Sequence, residues 1–273
     1  MMNDIKQIEI RTAEPTKETF RSSVRDVIIV SKRNVKRILR TPRLLIFSSL
    51  QPIMFFTLFR YIFENSLGRS LPPGVSYVDF LFPGVLVQVT LFGGTTAIAL
   101  SIDMASGMID RFRSLPIARS AVLAGRTIAD ITRNIFVSLL LLVFATLMGF
   151  SFGKGALHLL AALGIVLLFA FCFSWFMAFV GLVSKDPETA QLASFLPLFP
   201  FIFASTIFQP IQSFPTWLQG FAEHQPISVT VTTARNLILG GAVAPSLWQS
   251  LMWCAIFFIV FVPLSIRTYR KMS

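Results

Sequence analysis

A chain of 273 residues that is 54% hydrophobic and only 14% charged has too little polar surface to cover a soluble core of its size. Its mean hydropathy of +0.71 places it with membrane proteins, and 29 Phe against three Tyr suits lipid, where Phe needs no hydrogen-bond partner. The net charge of +11 does not point to nucleic acid, because the basic residues gather at the ends of apolar runs, as membrane topology requires.

Residues 1–17 are polar, with Pro15, and read as a flexible tail. No cleavable apolar h-region with positive flanks lies in the first 40 residues, so the N-terminus is expected to stay in the cytoplasm. From Glu18 to Thr41 the pattern changes. At 100° per residue, Phe20, Val24, Val27, Ile28, Ser31, Val35, Ile38 and Leu39 fall within an arc of roughly 100°, with Arg21, Arg25, Lys32, Lys36 and Arg40 opposite. Ile29 and Val30 blur the division. Such a basic amphipathic helix lies flat on the inner leaflet, its cations toward anionic headgroups. It serves either as a plain anchor or as an anchor that also touches a cytoplasmic partner. Pro42 then offers a fresh helix start.

About 20 apolar residues cross a bilayer core of roughly 30 Å. Six segments meet or approach that length: Leu44–Phe63, Phe80–Ile102, Asn134–Phe150 (beginning as early as Ile131), Leu157–Val183, Ala190–Gln212 and Leu247–Ile266. With the N-terminus inside, 20 of the 24 Lys and Arg fall on the cytoplasmic side, and only Arg60, Arg69, Lys154 and Arg235 fall outside. The expected architecture is an all-α integral membrane protein with six transmembrane helices and both termini cytoplasmic. Residues 1–43 form the tail and interfacial helix, 44–266 the permeation domain, and 267–273 a short cytoplasmic tail. Between spans five and six, Phe214–Ser246 is too broken to cross, with Pro215, Pro226, Pro245, Gly220, Gly240 and Gly241 interrupting it. A helix-length run, Ile227–Leu239, sits between Gln225-Pro226 and Gly240 and reads as a re-entrant or extracellular cap.

Several chemistries are missing. Gly153-Lys154-Gly155 lacks the leading glycine and the hydroxyl of a phosphate-binding loop, so the chain is not expected to hydrolyse ATP by that route. Cys172 and Cys254 fall in apolar runs and support neither a disulfide framework nor a Cys-rich metal site. With only His158 and His224, a His-Glu-x-x-His zinc site is excluded. Asp103, Asp130 and Arg133 read as cytoplasmic-end residues, Arg60 as a snorkelling one and His158 as the outer start of span four. No carboxylate is expected near a midplane, which weakens the case for a proton- or sodium-coupled carrier. A transport protein of this kind needs an energised partner or runs downhill.

Candidate path residues are the in-span amides Gln51 and Gln88, and Gly93-Gly94, which allows close helix approach or a local break. Ordinary bundle packing is the alternative for each. Pro52, Pro83, Pro197, Pro200 and Pro263 are expected to kink their helices. On the outer side His224, Gln225 and Pro226 either cap the exit or stabilise the fold.

The run Phe82-Pro83-Gly84-Val85-Leu86-Val87-Gln88, then Phe92-Gly93-Gly94-Thr95, leads through Asp103 into Gly107-Met108-Ile109-Asp110-Arg111-Phe112-Arg113-Ser114-Leu115-Pro116-Ile117. This closely resembles the permease subunits of type-2 ABC exporters, particularly the daunorubicin-resistance group of bacterial drug efflux systems. His224-Gln225-Pro226-Ile227-Ser228, ahead of Arg235 and Gly240-Gly241, is a second match. The resemblance implies a permease dimer, identical or paralogous, in the bacterial plasma membrane, with two separate ATPase subunits docked beneath it. ATP and Mg would sit on those partners, and no cofactor on this chain.

The resemblance also implies that Asp110, Arg111, Phe112, Arg113, Leu115 and Pro116 carry the coupling element. Arg111 and Arg113 can offer cations to an acidic groove, with Phe112 and Leu115 as apolar anchors; a solvated positive-inside loop is the plainer reading. The implied cargo is an amphiphilic or lipophilic compound such as a drug or antibiotic. Export of a lipid-linked glycan or glycolipid, and a secondary carrier uncoupled from ATP, are the alternatives.

Overall fold

The structure, a computed structural model, describes residues 42–68, 71–91, 95–106, 119–184 and 186–271, together with Lys32. Helices α1 to α4 are Pro42–Leu67, Tyr77–Leu91, Thr95–Ala105 and Arg119–Leu147. Next come α5, Ala156–Val183; α6, Pro187–Phe195; and α7, Leu198–Phe203. A short 3-10 turn, Ile211–Ser213, precedes α8, Thr216–His224; α9, Pro226–Leu239; and α10, Val243–Lys271. No strand occurs among the described residues.

Four helical stretches among the described residues are long and apolar enough to cross a membrane. They are Tyr77–Ala105, of which residues 92–94 are not described, Leu123–Leu147, Ala156–Val183 and Val243–Tyr269. The second stretch starts at a local device. Ser76 Oγ accepts from the Asp79 N–H at 3.1 Å and donates to Asp79 Oδ2 at 2.7 Å, a reciprocal cap. The other carboxylate oxygen accepts from the Ser151 N–H at 2.8 Å, which ties α2 to the α4–α5 loop. All 15 residues of α2 are buried, as a helix apolar on every side must be.

α5 is the hub of the bundle, in contact with α2, α3, α4, α9 and α10. It comes closest to α3 at Gly181, where a Cβ would stand 2.5 Å from the Ala97 carbonyl oxygen. Only a residue without a side chain fits there. Aromatic rings fill the remaining seams: Phe59 stacks on Phe208 at 3.9 Å, Phe82 meets Phe150 at 4.2 Å, and Phe176 meets Phe261 edge-on at 4.9 Å.

Three expectations need correction. The fifth apolar segment, Ala190–Gln212, is not one helix. It holds most of α6 and all of α7, then turns irregularly from Ala204 to Pro210. Leu196 and Pro197 keep helical torsions, but Pro197 and Pro200 have no N–H for the carbonyls of Ala193 and Leu196, so the ladder is broken there. The helix that carries the third apolar segment starts well before 131. It begins at Arg119, so Arg133 lies midway along α4. The last helix runs on through Arg267 to Lys271, where a tail was expected.

Candidate functional site

The first cluster is built around Arg235 on α9. Its Nε and Nη2 both donate to the Phe80 carbonyl, at 3.2 and 3.0 Å, and Nη2 also donates to the Thr206 carbonyl at 2.9 Å. The guanidinium carbon lies over the Phe80 ring, 3.6 Å from its centroid. Tyr77 adds a parallel tie, its hydroxyl donating to the Phe208 carbonyl at 2.9 Å. These contacts bind the start of α2 and the turn after α7 to α9. At the same turn Gly84 backs directly onto the Ile207 backbone, where any Cβ would collide.

The His224-Gln225-Pro226 element sits at the α8–α9 junction. Gln225 is 4% exposed, and its Nε2 donates to the carbonyls of Phe201 and Ala204, both at 2.9 Å. It thereby serves carbonyls at the end of α7, where the chain leaves the helix. Ser228 Oγ accepts from the Thr206 N–H at 3.1 Å, steadying the same turn. Pro226 opens α9, where its missing N–H costs nothing. His224 is exposed. Its Nδ1 lies 3.0 Å from the Gly220 carbonyl within its own helix, while its backbone carbonyl accepts from Trp253 Nε1 of α10 at 3.1 Å. Beside the cluster is a cavity of about 850 Å³, lined in part by Leu71, Val75, Phe80, Thr206, Thr232 and Arg235.

A second, smaller cavity of about 170 Å³ lies between α1, α2 and α4. It brings Gln51 and Gln88 together, and adds Ser48, Pro52, Phe55, Val89, Val137 and Arg133. Gln88 is 4% exposed, whereas Gln51 stands at the surface. Arg133 Nη2 donates to Asn134 Oδ1 at 3.0 Å. Toward the start of α4, Arg126 Nη1 pairs with Asp103 Oδ2 of α3 at 3.6 Å.

The two amides predicted from sequence line one cavity, and Gln225 holds the turn after α7. Gly93 and Gly94, the coupling element Asp110–Pro116, and Arg25, Lys36 and Arg40 of the interfacial helix lie outside the described residues; Lys32 is helical and exposed. Sequence reading misses Arg133 and Arg235 as site residues: it treats Arg133 as a residue at a span end, and Arg235 as one of the outer charges and part of the stretch that carries the family resemblance. The signal for Arg235 was present: it is the one charged residue in the helix Pro226–Leu239.

A family model described as ABC-2 type transporter matches residues 25–239. Among curated proteins the chain is similar to the daunorubicin resistance ABC transporter permease protein DrrB1 of Streptomyces coeruleorubidus, 33% identical over 81% of this chain and 78% of that protein. It is also similar to the probable doxorubicin resistance ABC transporter permease protein DrrC of Mycobacterium tuberculosis, 26% identical over 81% of this chain and 80% of that one. The inner membrane transport permease YadH of Escherichia coli K12 is 25% identical over 75% of this chain and 80% of its own length.

Proposed function

Because the chain belongs to the ABC-2 type transporter family, we propose that it is the membrane-embedded permease of an ATP-driven exporter whose ATPase is a separate polypeptide. The match over residues 25–239 carries this reading, since it takes in the interfacial segment and nearly all of the helical bundle up to the end of α9. The protein is a multi-pass component of the bacterial plasma membrane and works as a transport subunit.

The finer parts of the reading are these. The chain crosses the membrane six times with both termini inside, α1 being the first span and the α6–α7 region, kinked at Pro197, the fifth. α8 and α9 form a re-entrant or external cap. Two permeases pair, and two ATPases carrying ATP and Mg dock beneath them, in contact with Asp110, Arg111, Phe112, Arg113, Leu115 and Pro116. The cargo is an amphiphilic or lipophilic compound of the antibiotic kind, a class suggested by relatives named for daunorubicin and doxorubicin resistance. The 850 Å³ cavity beside Arg235 lies within the roughly 300–1,000 Å³ typical of drug-sized sites. The Arg235 contacts would hold the cap shut between cycles.

Purification in mild detergent, with identification of the bound proteins, tests the main point. The wild-type chain is expected to retain a nucleotide-binding subunit in equal amount, and Arg111→Glu with Arg113→Glu to lose it while still inserting. Unchanged co-purification and transport in the double variant would remove the docking site. Uphill export by the polypeptide alone, in vesicles free of any ATPase, would remove the whole reading.

A further inference from the structure

Arg235 has donors to spare. A guanidinium carries five N–H groups, and three of them are taken: Nε–H and one Nη2–H by the Phe80 carbonyl, the other Nη2–H by the Thr206 carbonyl. The two on Nη1 have no acceptor among the described residues. Nor is Nη1 one of the unpartnered polar atoms that the fold closes to water. Phe80, Thr206 and Arg235 all line the 850 Å³ cavity, so the half-buried guanidinium and both its acceptors belong to one wall. Three hydrogen bonds and the Phe80 ring at 3.6 Å fix the group, so Nη1 is set in place before any ligand arrives.

No carboxylate among the described residues forms an ion pair with Arg235. A charge drawn partly out of water without a counter-ion is costly, and an anion from outside the protein relieves that cost. A second cation, Lys154, lies across Gly240 of the same wall, where a Cβ would stand 2.6 Å from its Cε. Glu223, the one carboxylate among the described lining residues, is exposed and keeps its own water. Leu71, Val75, Val229 and Leu239 give the cavity apolar wall beside these charges.

We infer that this cavity binds an amphiphilic acid, a carboxylate, phosphate or sulfate ester on an apolar body, whose anionic oxygen accepts from Nη1 of Arg235. The bond is charge-assisted. Lys154 adds attraction and Glu223 opposes it, so the balance of charge on the wall favours an anion over an amine. The three bonds that tie α9 to α2 and to the turn after α7 stay intact when the acid is held. That this acid is the exported cargo rests on the exporter reading above; that it binds does not.

Fluorescence titration of the purified full-length chain in neutral detergent at neutral pH tests the site. Three probes share one body: dansylaminoundecanoic acid, its methyl ester and the corresponding amine. The acid should bind saturably and about tenfold more tightly than either of the others. Arg235→Gln should remove that preference. Because Arg235 is also a structural joint, two exposed positions supply independent readouts. Glu223→Gln should strengthen acid binding about threefold and Lys154→Glu weaken it about threefold, with ester binding unchanged in both. Dioctanoyl phosphatidylglycerol should displace the acid only weakly; displacement at equal concentration would give the cavity to a membrane lipid and overturn the cargo assignment. In inverted vesicles that hold the chain with its ATPase, ATP should drive uptake of the acid ahead of the amine. Preferential uptake of the amine would overturn the cargo class and leave the exporter reading standing. Selective acid binding with no ATP-driven uptake of any probe would do the reverse, removing the exporter reading and keeping the site. Equal affinity for the three probes, or unchanged acid affinity in folded Glu223→Gln and Lys154→Glu variants, would overturn the site.

Discussion

Arg235 holds Phe80 twice, covering its ring at 3.6 Å and binding its backbone carbonyl at 3.0 and 3.2 Å. The two residues are 155 positions apart in sequence, so this contact fixes α9 to the entry of α2. The third bond, to the Thr206 carbonyl, brings in the broken fifth segment.

Arg235→Lys should loosen this joint although the charge is kept. An ammonium on a flexible stem cannot cover the ring and reach both carbonyls in one plane. A loss of about 1–3 kcal/mol is expected, read as a lower thermal unfolding midpoint in detergent. An unchanged midpoint would show that the geometry contributes nothing to stability.

Two glycines give opposite expectations for the same substitution. Gly84→Ala drives a methyl group into the Ile207 backbone, which cannot swing aside as a side chain could. It should cost about 1–3 kcal/mol. Gly164→Ala, in α5 with nothing within 4 Å of the added carbon, should be neutral or stabilise by up to about 1 kcal/mol. Unfolding curves of both variants, measured together, check the contrast.

Adjacent residues of one motif should also differ. Gln225→Ala leaves the carbonyls of Phe201 and Ala204 without their donor and should cost about 1–3 kcal/mol, with reduced export. His224→Ala removes an exposed ring that reaches only its own helix; the bond from Trp253 goes to the backbone and survives. That change should stay within about 0.5 kcal/mol and keep transport. Loss of export in a folded His224→Ala protein would give the imidazole a part in gating.

Asp186 supplies the pH-dependent prediction. The Thr189 backbone N–H, and then its hydroxyl, donate to this carboxylate at 2.7 and 2.8 Å and hold its pKa below the ordinary carboxylate range. A depressed folded pKa means that the cap is fully stabilising above about pH 4, and is lost as pH falls through the folded value. Protection of the Thr189 and Ala190 amides, taken relative to their intrinsic exchange rates, should therefore fall on acidification. Asp186→Asn should keep the cap and abolish the acid dependence, and Asp186→Ala should give low protection at every pH.

Some local structure was legible because its cause is local. The Pro226–Leu239 helix follows from a proline that can start it and Gly240, with φ of 96°, that ends it. The full extent of α4 was missed because a hydropathy window stops at the last charged residue. The helix continues to Arg119 because Asn134 and the Asp103–Arg126 pair take up polar groups that composition scores as boundaries. The kink in the fifth segment was foreshadowed by Pro197 and Pro200, but hydropathy counts side chains and does not register missing N–H donors.

Composition alone determines that this chain lives in lipid, because 54% hydrophobic residues cannot be hidden in a monomer of 273. The motif from Phe82 to Pro116 points further, to the family that the match over residues 25–239 establishes. Only the tertiary structure decides that Gln51, Gln88 and Arg133 share one cavity and that Arg235 grips Phe80. Every apolar helix face is equally content against lipid or another helix. Which faces meet is therefore set by shape and by polar atoms seeking partners, through contacts as local as Gly84 on Ile207 and Gly181 on Ala97.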